Sequence, residues 1–149
     1  MKNDRLLLDN QLCFRLYSVS RKMTKAYQPL LEKFNLTYPQ YVTMLVVFEY
    51  EEIDFKALSD KLNLKTGTIT PILQKLEQAG YINRVPNKQD HRKLNIVLTP
   101  IGKKLNEDII EVPNNLTKRL QVSLEMYNTL VEELDELDGM LDEMMKADN

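Results

Sequence analysis

Apolar positions fall along the chain in two seams that bracket a differently patterned middle. From about Asp9 to Phe34 they recur at Leu12, Leu16, Val19, Met23, Ala26 and Leu30, alternating steps of four and three. That spacing predicts a helix whose stripe packs against another helix. The seam returns at Tyr127, Leu130, Leu134, Leu137, Leu141 and Met144, with Ser123 placed as an N-cap. Neither helix can bury its stripe alone, and Met126, Met140, Met144 and Met145 suit an adaptable helix interface. A homodimer is the expectation; a monomeric bundle closing on itself is the other arrangement the pattern allows.

The middle holds shorter elements. A helix from about Tyr38 to Glu49 follows the turn Asn35-Leu36-Thr37, and a second, about Phe55 to Leu62, presents Leu58 and Leu62 on one face. After a tight joint at Asn63-Leu64, residues Thr66 to Ala79 place Ile69, Ile72, Leu73 and Leu76 on one stripe and end at Gly80, a natural C-terminal cap. The opposite face carries Thr68, Pro71, Gln74 and Lys75. Short helix, tight joint and a second helix with a small polar face form a helix-turn-helix, whose second helix enters the DNA major groove. Pro71 leaves the start of that helix open: with Thr66 as N-cap the Gly67 carbonyl loses its partner, whereas Thr68 as cap avoids the conflict.

Beyond Gly80 the period becomes two. Tyr81 to Val85 reads as a strand stopped by Pro86, and Leu94, Ile96 and Leu98 define a second. The polar residues between them, Asn87 to Arg92, form a hairpin loop. Such a hairpin behind a helix-turn-helix is a wing, which carries cations toward phosphates or the minor groove. Thr99-Pro100 then opens another helix. The fold class is thus mainly α with a small β-hairpin. Its parts are an N-terminal dimerisation and sensor helix over 1–36, a winged helix-turn-helix over 37–105 and C-terminal dimerisation helices over 106–149.

Charge adds to this picture. Over residues 1–54, seven Lys/Arg meet seven Asp/Glu; over 55–104 ten meet three; over 105–149 three meet twelve. A basic middle in a chain of net charge -2 is the footprint of a polyanion site confined to one module. Lys75, Arg84, Lys88 and Arg92 are the expected phosphate contacts. The 149 residues, 43% hydrophobic and 28% charged, suit one ordinary globular domain and exclude collagen or wholesale disorder. No apolar run nears the ~18 residues of a membrane span, and Leu6-Leu7-Leu8 is too short for a signal-peptide core, so no membrane partner and a cytoplasmic location are expected. One cysteine, Cys13, and one histidine, His91, preclude intrachain disulfides and remove the raw material for metal or triad chemistry. We therefore expect no cofactor, no metal and no enzymatic activity.

The chain resembles the multiple-antibiotic-resistance regulator (MarR) family of winged-helix repressors, in its one-cysteine organic hydroperoxide-sensing branch. The resemblance rests on Asn10-Gln11-Leu12-Cys13-Phe14, Leu36-Thr37-Tyr38-Pro39-Gln40-Tyr41, Thr66 through Leu73 with Lys75-Leu76-Glu77, Asp90-His91-Arg92 and Leu98-Thr99. These span about residues 10–105 in the family's order; the last third matches only in helical character. The resemblance implies a homodimer on palindromic double-stranded DNA. In it, Thr66, Gly67, Thr68, Thr70, Pro71 and Gln74 approach bases and phosphates, Arg92 enters the minor groove and Asp90 orients Arg92. Two departures, Lys65 where the family often has an acid and His91 where it often has Glu, keep the operator sequence from being borrowed.

The branch rests on Cys13. With Asp9 or Asn10 as N-cap, Cys13 falls in the first turn of its helix, where the dipole favours the peroxide-sensitive thiolate. The resemblance makes it the sensing cysteine, with Tyr27 and Tyr38 as its partners and Tyr17 nearby. Fourteen residues separate Cys13 from Tyr27, roughly 21 Å of helix, so a contact between them must cross to the other subunit. The expected function is a repressor that senses organic hydroperoxide through Cys13, a small thiol being one route for resolving the oxidised form. The alternatives are a MarR-family regulator controlled by a phenolic or other small ligand, and a global redox regulator with the same switch.

Overall fold

The computed structural model describes residues 3–148, and the chain divides into two compact units, one ending at Pro113 and the other beginning at Asn114. In the first unit, 3-10 turns at Asp4–Leu6 and Leu8–Asn10 lead into α1 (Leu12–Leu31). Then follow α2 (Tyr38–Tyr50), β1 (Glu52–Asp54), α3 (Phe55–Leu62), α4 (Thr66–Gln78), β2 (Ile82–Pro86), β3 (Leu94–Leu98) and α5 (Pro100–Ile109). The strands form an antiparallel sheet in the order β1-β3-β2, with Ile96 of β3 opposite both Ile53 and Arg84.

Local chemistry sets the boundaries. Thr37 and Gln40 form a capping box at the start of α2, and Asp54 accepts from the Ala57 amide at 3.0 Å to cap α3. Asn63, in the left-handed region at φ 50°, makes the joint between α3 and α4. Gly80, at φ 80°, ends α4: its amide donates to Glu77 and the Tyr81 amide to Leu76, a Schellman closure. Thr99 caps α5, with Pro100 at its first position. Fully buried Leu31, Met44, Leu58, Ile69, Leu73 and Ile96 join these elements in one core.

In the helix-turn-helix and sheet, two boundaries and one element differ from the sequence reading. Neither Thr66 nor Thr68 caps α4: Lys65 does, its carbonyl accepting from the amides of Thr68 and Ile69 at 2.9 and 3.1 Å. Pro71 therefore lies inside the helix, at the cost of one bond to the Gly67 carbonyl. Burial of Ile69, Leu73 and Leu76 holds the helix around it. Pro86 does not stop β2 but pairs with Leu94 as its last residue, which an edge strand allows. β1 has no counterpart in the sequence reading, since one buried residue, Ile53, in a three-residue strand shows no alternation.

α6 (Val112–Leu120) carries the chain across the division into the second unit, whose long helix α7 (Leu124–Ala147) is capped by Ser123, accepting from the Met126 amide at 3.1 Å. No residue of α7 is buried; its seam at Tyr127, Leu130, Leu134, Leu141 and Met144 is exposed. On α1 the first part of the seam, Leu12, Leu16, Val19 and Met23, is likewise exposed, whereas Leu30 packs against the core. No helix among the described residues is long and apolar enough to cross a membrane.

Candidate nucleic-acid interface and redox site

The helix-turn-helix presents its polar residues as a group. Thr66, Gly67, Thr68, Thr70, Pro71, Gln74 and Lys75 are all exposed on α4, on the side opposite the buried stripe. The Thr70 hydroxyl donates to the Thr66 carbonyl at 2.9 Å, satisfying an acceptor near the interruption made by Pro71. Thr66 and Thr70 also line a groove of about 710 Å³ with Arg92 and Lys93 of the wing and Phe55, Lys56 and Asp60 of α3.

At the wing, Asn87 organises the loop: its side-chain oxygen accepts from the amides of Gln89 and Asp90, and its own amide donates to the Lys93 carbonyl. Asp90 holds Arg92 through three bonds, from the Arg92 amide at 3.1 Å, Nε at 3.0 Å and Nη2 at 3.3 Å. The bonds from Arg92 keep the Asp90 carboxyl below its ordinary range. The Arg92 side chain is 91% exposed, so its charge projects outward from this anchor. Lys88 and His91 are exposed on the same loop.

Arg84 is placed differently. Its side chain and amide are both bound by Glu77 of α4, and these bonds hold the Glu77 carboxyl below its ordinary range. It ties β2 to the recognition helix, whereas Lys75 and Lys88 are exposed to solvent and Arg92 extends into it from its bonds to Asp90.

The residues of the expected redox site occupy two places. Cys13 is exposed in the first turn of α1. Neither Asp9 nor Asn10 caps that helix: Gln11 is the N-cap residue but makes no side-chain cap bond. Its amide nitrogen instead reaches the Arg5 and Leu7 carbonyls, while Asn10 donates to Asp4. These side chains are consumed in closing the preceding 3-10 turns. Arg15 reaches back to the Asp9 carbonyl. Tyr17 is 60% exposed, with the Arg21 guanidinium 5.4 Å from its ring centre.

Tyr27 and Tyr38 come together at the far end of α1, their ring centroids 4.9 Å apart and their planes tilted by 49°. A third phenol, Tyr41, joins them at 5.5 Å from Tyr27 and 6.2 Å from Tyr38. Tyr41 was not singled out from sequence, although its position three residues after Tyr38 on one helix face was the available signal. Among the described residues no cluster of His, Cys, Asp and Glu is arranged to hold a metal.

A helix-turn-helix with a cationic polar face, followed by a two-stranded wing with an arginine at its tip, defines a winged-helix transcriptional regulator. The chain belongs to the transcriptional regulator SarA/Rot family, whose model matches residues 25–109. It is 44% identical over 115 residues to the organic hydroperoxide resistance transcriptional regulator of Bacillus subtilis (strain 168), covering 77% of this chain and 78% of that one. Reduced AbfR bound to DNA superposes with a TM-score of 0.82 at 31% identity, covering 97% of this chain and 99% of that one. Overoxidised AbfR bound to DNA superposes at 0.76 with 32% identity, over 95% of this chain and 99% of that one; AbfR is a protein of Staphylococcus epidermidis.

Proposed function

We propose that this chain is a cytoplasmic homodimeric repressor that binds a palindromic duplex when reduced and leaves it when an organic hydroperoxide oxidises Cys13. The observation that carries the reading is the exposed Cys13 at one end of α1 with the Tyr27–Tyr38 pair near the other, about 21 Å away along the axis. A contact of Cys13 with Tyr27 or Tyr38 is out of reach within one chain and is supplied by a second copy, which would also cover the exposed seams of α1 and α7. The structure of reduced AbfR on DNA supports binding by the reduced form, and the hydroperoxide-resistance role of the Bacillus subtilis relative supports the class of oxidant.

Chemically, the Cys13 thiolate attacks one peroxide oxygen. An S–O bond forms as the O–O bond breaks; the departing alkoxide takes a proton and leaves as an alcohol. Sulfur is oxidised by two electrons and the peroxide reduced by two, giving a sulfenic acid. A small thiol then condenses with it, releasing water and leaving a mixed disulfide. Phenol hydroxyls that bonded the thiolate lose that arrangement, and the dimer shifts to a form whose recognition helices no longer fit the duplex. The protein acts as a switch rather than as an enzyme with turnover.

In this reading α4 supplies Thr66, Gly67, Thr68, Thr70, Pro71, Gln74 and Lys75 to the major groove, Lys88 and Arg92 of the wing meet the backbone and minor groove, and Asp90 and Arg84 hold the wing in place. Titration onto a labelled duplex from the protein's own upstream region tests it. Tight binding by the reduced protein, lost after one equivalent of cumene hydroperoxide in wild type and kept in Cys13→Ser, is expected; release that is equal in Cys13→Ser overturns it. The groove where Arg92 and Lys93 face Phe55 and Leu94 favours a second reading, a phenolic or other small anionic effector. That effector would displace DNA equally from wild type and Cys13→Ser.

A further inference from the structure

Cys13 begins a row of side chains that runs along α1 at four-residue intervals: Cys13, Tyr17, Arg21 and Lys25, all of them exposed. Residues so spaced are neighbours on one helix surface, and each side chain leans back over the turn before it. Arg21 follows that rule, its guanidinium lying 5.4 Å from the centre of the Tyr17 ring. Each step turns the row by roughly 40° about the axis. Arg21 therefore stands opposite Leu12, Val19 and Met23, the exposed seam that a second copy would cover.

At the far end of the row, Ser18, Arg21, Lys22 and Lys25 line a groove of about 320 Å³. α1 holds no acidic residue, and among the described residues no carboxylate lies within 4.0 Å of Arg21, Lys22 or Lys25. Arg15, the fourth cation of the helix, donates to the Asp9 carbonyl instead. Like charges one turn apart repel, so Arg21 and Lys25 weaken the helix unless an anion joins them. Spacing then selects the anion. Cys13 is eight residues from Arg21 and twelve from Lys25, roughly 12 and 18 Å along the axis. A molecule that meets both ends of the row carries its reactive group at one end and its negative charge at the other.

We propose that Arg21, Lys22 and Lys25 dock the thiol that resolves oxidised Cys13, and that this thiol is an extended small molecule with anionic groups remote from its sulfur. This rests on the reading of Cys13 given above. The incoming thiolate attacks the sulfenic sulfur: an S–S bond forms as the S–O bond breaks, and the departing hydroxide takes up the thiol's proton and leaves as water. The sulfenic sulfur is reduced by one oxidation level and the incoming sulfur oxidised by one. By concentrating the thiol beside Cys13, the cations shorten the interval in which a second peroxide over-oxidises it.

The test oxidises the full-length dimer with one equivalent of cumene hydroperoxide, adds a thiol and follows the mixed disulfide by intact mass. Coenzyme A and pantetheine present the same thiol on the same arm and differ in the phosphates beyond it. The third probe, 2-mercaptoethanesulfonate, is an anion too short to reach Arg21 from Cys13. Coenzyme A is expected to react about tenfold faster than pantetheine at low salt, an advantage lost at high salt and in Arg21→Gln/Lys22→Gln/Lys25→Gln. Pantetheine and the short anion should react with that variant within about twofold of their wild-type rates. Equal rates for coenzyme A and pantetheine in the wild-type protein overturn this proposal alone, with no variant needed. A coenzyme A advantage that survives the triple substitution puts the anion elsewhere and overturns it too. So does an equal loss for the short anion, which is general attraction to a charged helix. A dimedone adduct of Cys13 without any mixed disulfide overturns the docking row and leaves the sulfenic acid standing. Neither product overturns the reading of Cys13 as the oxidised residue and this proposal with it.

Discussion

Arg84 closes onto Glu77 with both ends of its residue: its amide donates to Oε1 at 2.9 Å, while Nε and Nη2 donate to Oε2 at 3.0 and 2.7 Å. Because Glu77 lies in the last turn of α4 and Arg84 in β2, this pair sets the angle of the wing to the recognition helix. Arg84→Met should therefore weaken operator binding while leaving its salt dependence near that of wild type. A salt slope reduced as much as in a phosphate-contact variant would place Arg84 on the DNA instead.

Free cations should behave otherwise. Lys75 and Lys88 are exposed, and Arg92, although bonded to Asp90, extends into solvent. Each of Lys75→Gln, Lys88→Gln and Arg92→Gln should lower the slope of log affinity against log salt by about one. Fluorescence anisotropy at several potassium chloride concentrations measures this, and unchanged slopes for all three would reject the proposed interface.

The Glu77 carboxyl also predicts an acid response. Arg84 holds it below its ordinary 4.5, so the folded state favours the ionised form. The stability this supplies is complete above the unfolded value and is lost as pH falls through the folded one. Urea midpoints should accordingly drop as pH is lowered from about 5 towards 3, and the drop should be shallower in Glu77→Gln.

Much of this architecture was legible because local patterns and tertiary packing agree. The stripe Ile69, Leu73 and Leu76 is the buried face of α4, Phe55–Leu62 is the observed α3, and Thr99 and Ser123 cap the helices assigned to them. The start of α4 was not legible, because proline's local penalty at Pro71 is outweighed by burial that appears only once the core forms. β1 exists only through pairing with β3, forty residues on. At the candidate redox site, the spacing of Cys13 and Tyr27 already put a contact between them beyond one chain, but the place of Tyr41 became visible only when α1 and α2 packed and brought the three rings together.

Two glycines separate the demands of folding from those of DNA approach. Gly102 lies in α5 where a Cβ would press on the Tyr81 carbonyl oxygen and come within 2.5 Å of Leu98 Cδ1, so Gly102→Ala should destabilise the fold by about 2 kcal/mol or more. Gly67 has the opposite surroundings: a Cβ there meets nothing within 4 Å. As it lies within α4, Gly67→Ala should leave the fold as stable or improve it by up to about 1 kcal/mol. If α4 brings its backbone close to the duplex at this point, the added methyl group occupies space the DNA needs. Gly67→Ala should then raise the melting temperature and weaken operator binding together. Thermal unfolding beside a DNA titration checks both, and unchanged affinity in a stabilised Gly67→Ala protein would move the duplex away from the start of α4.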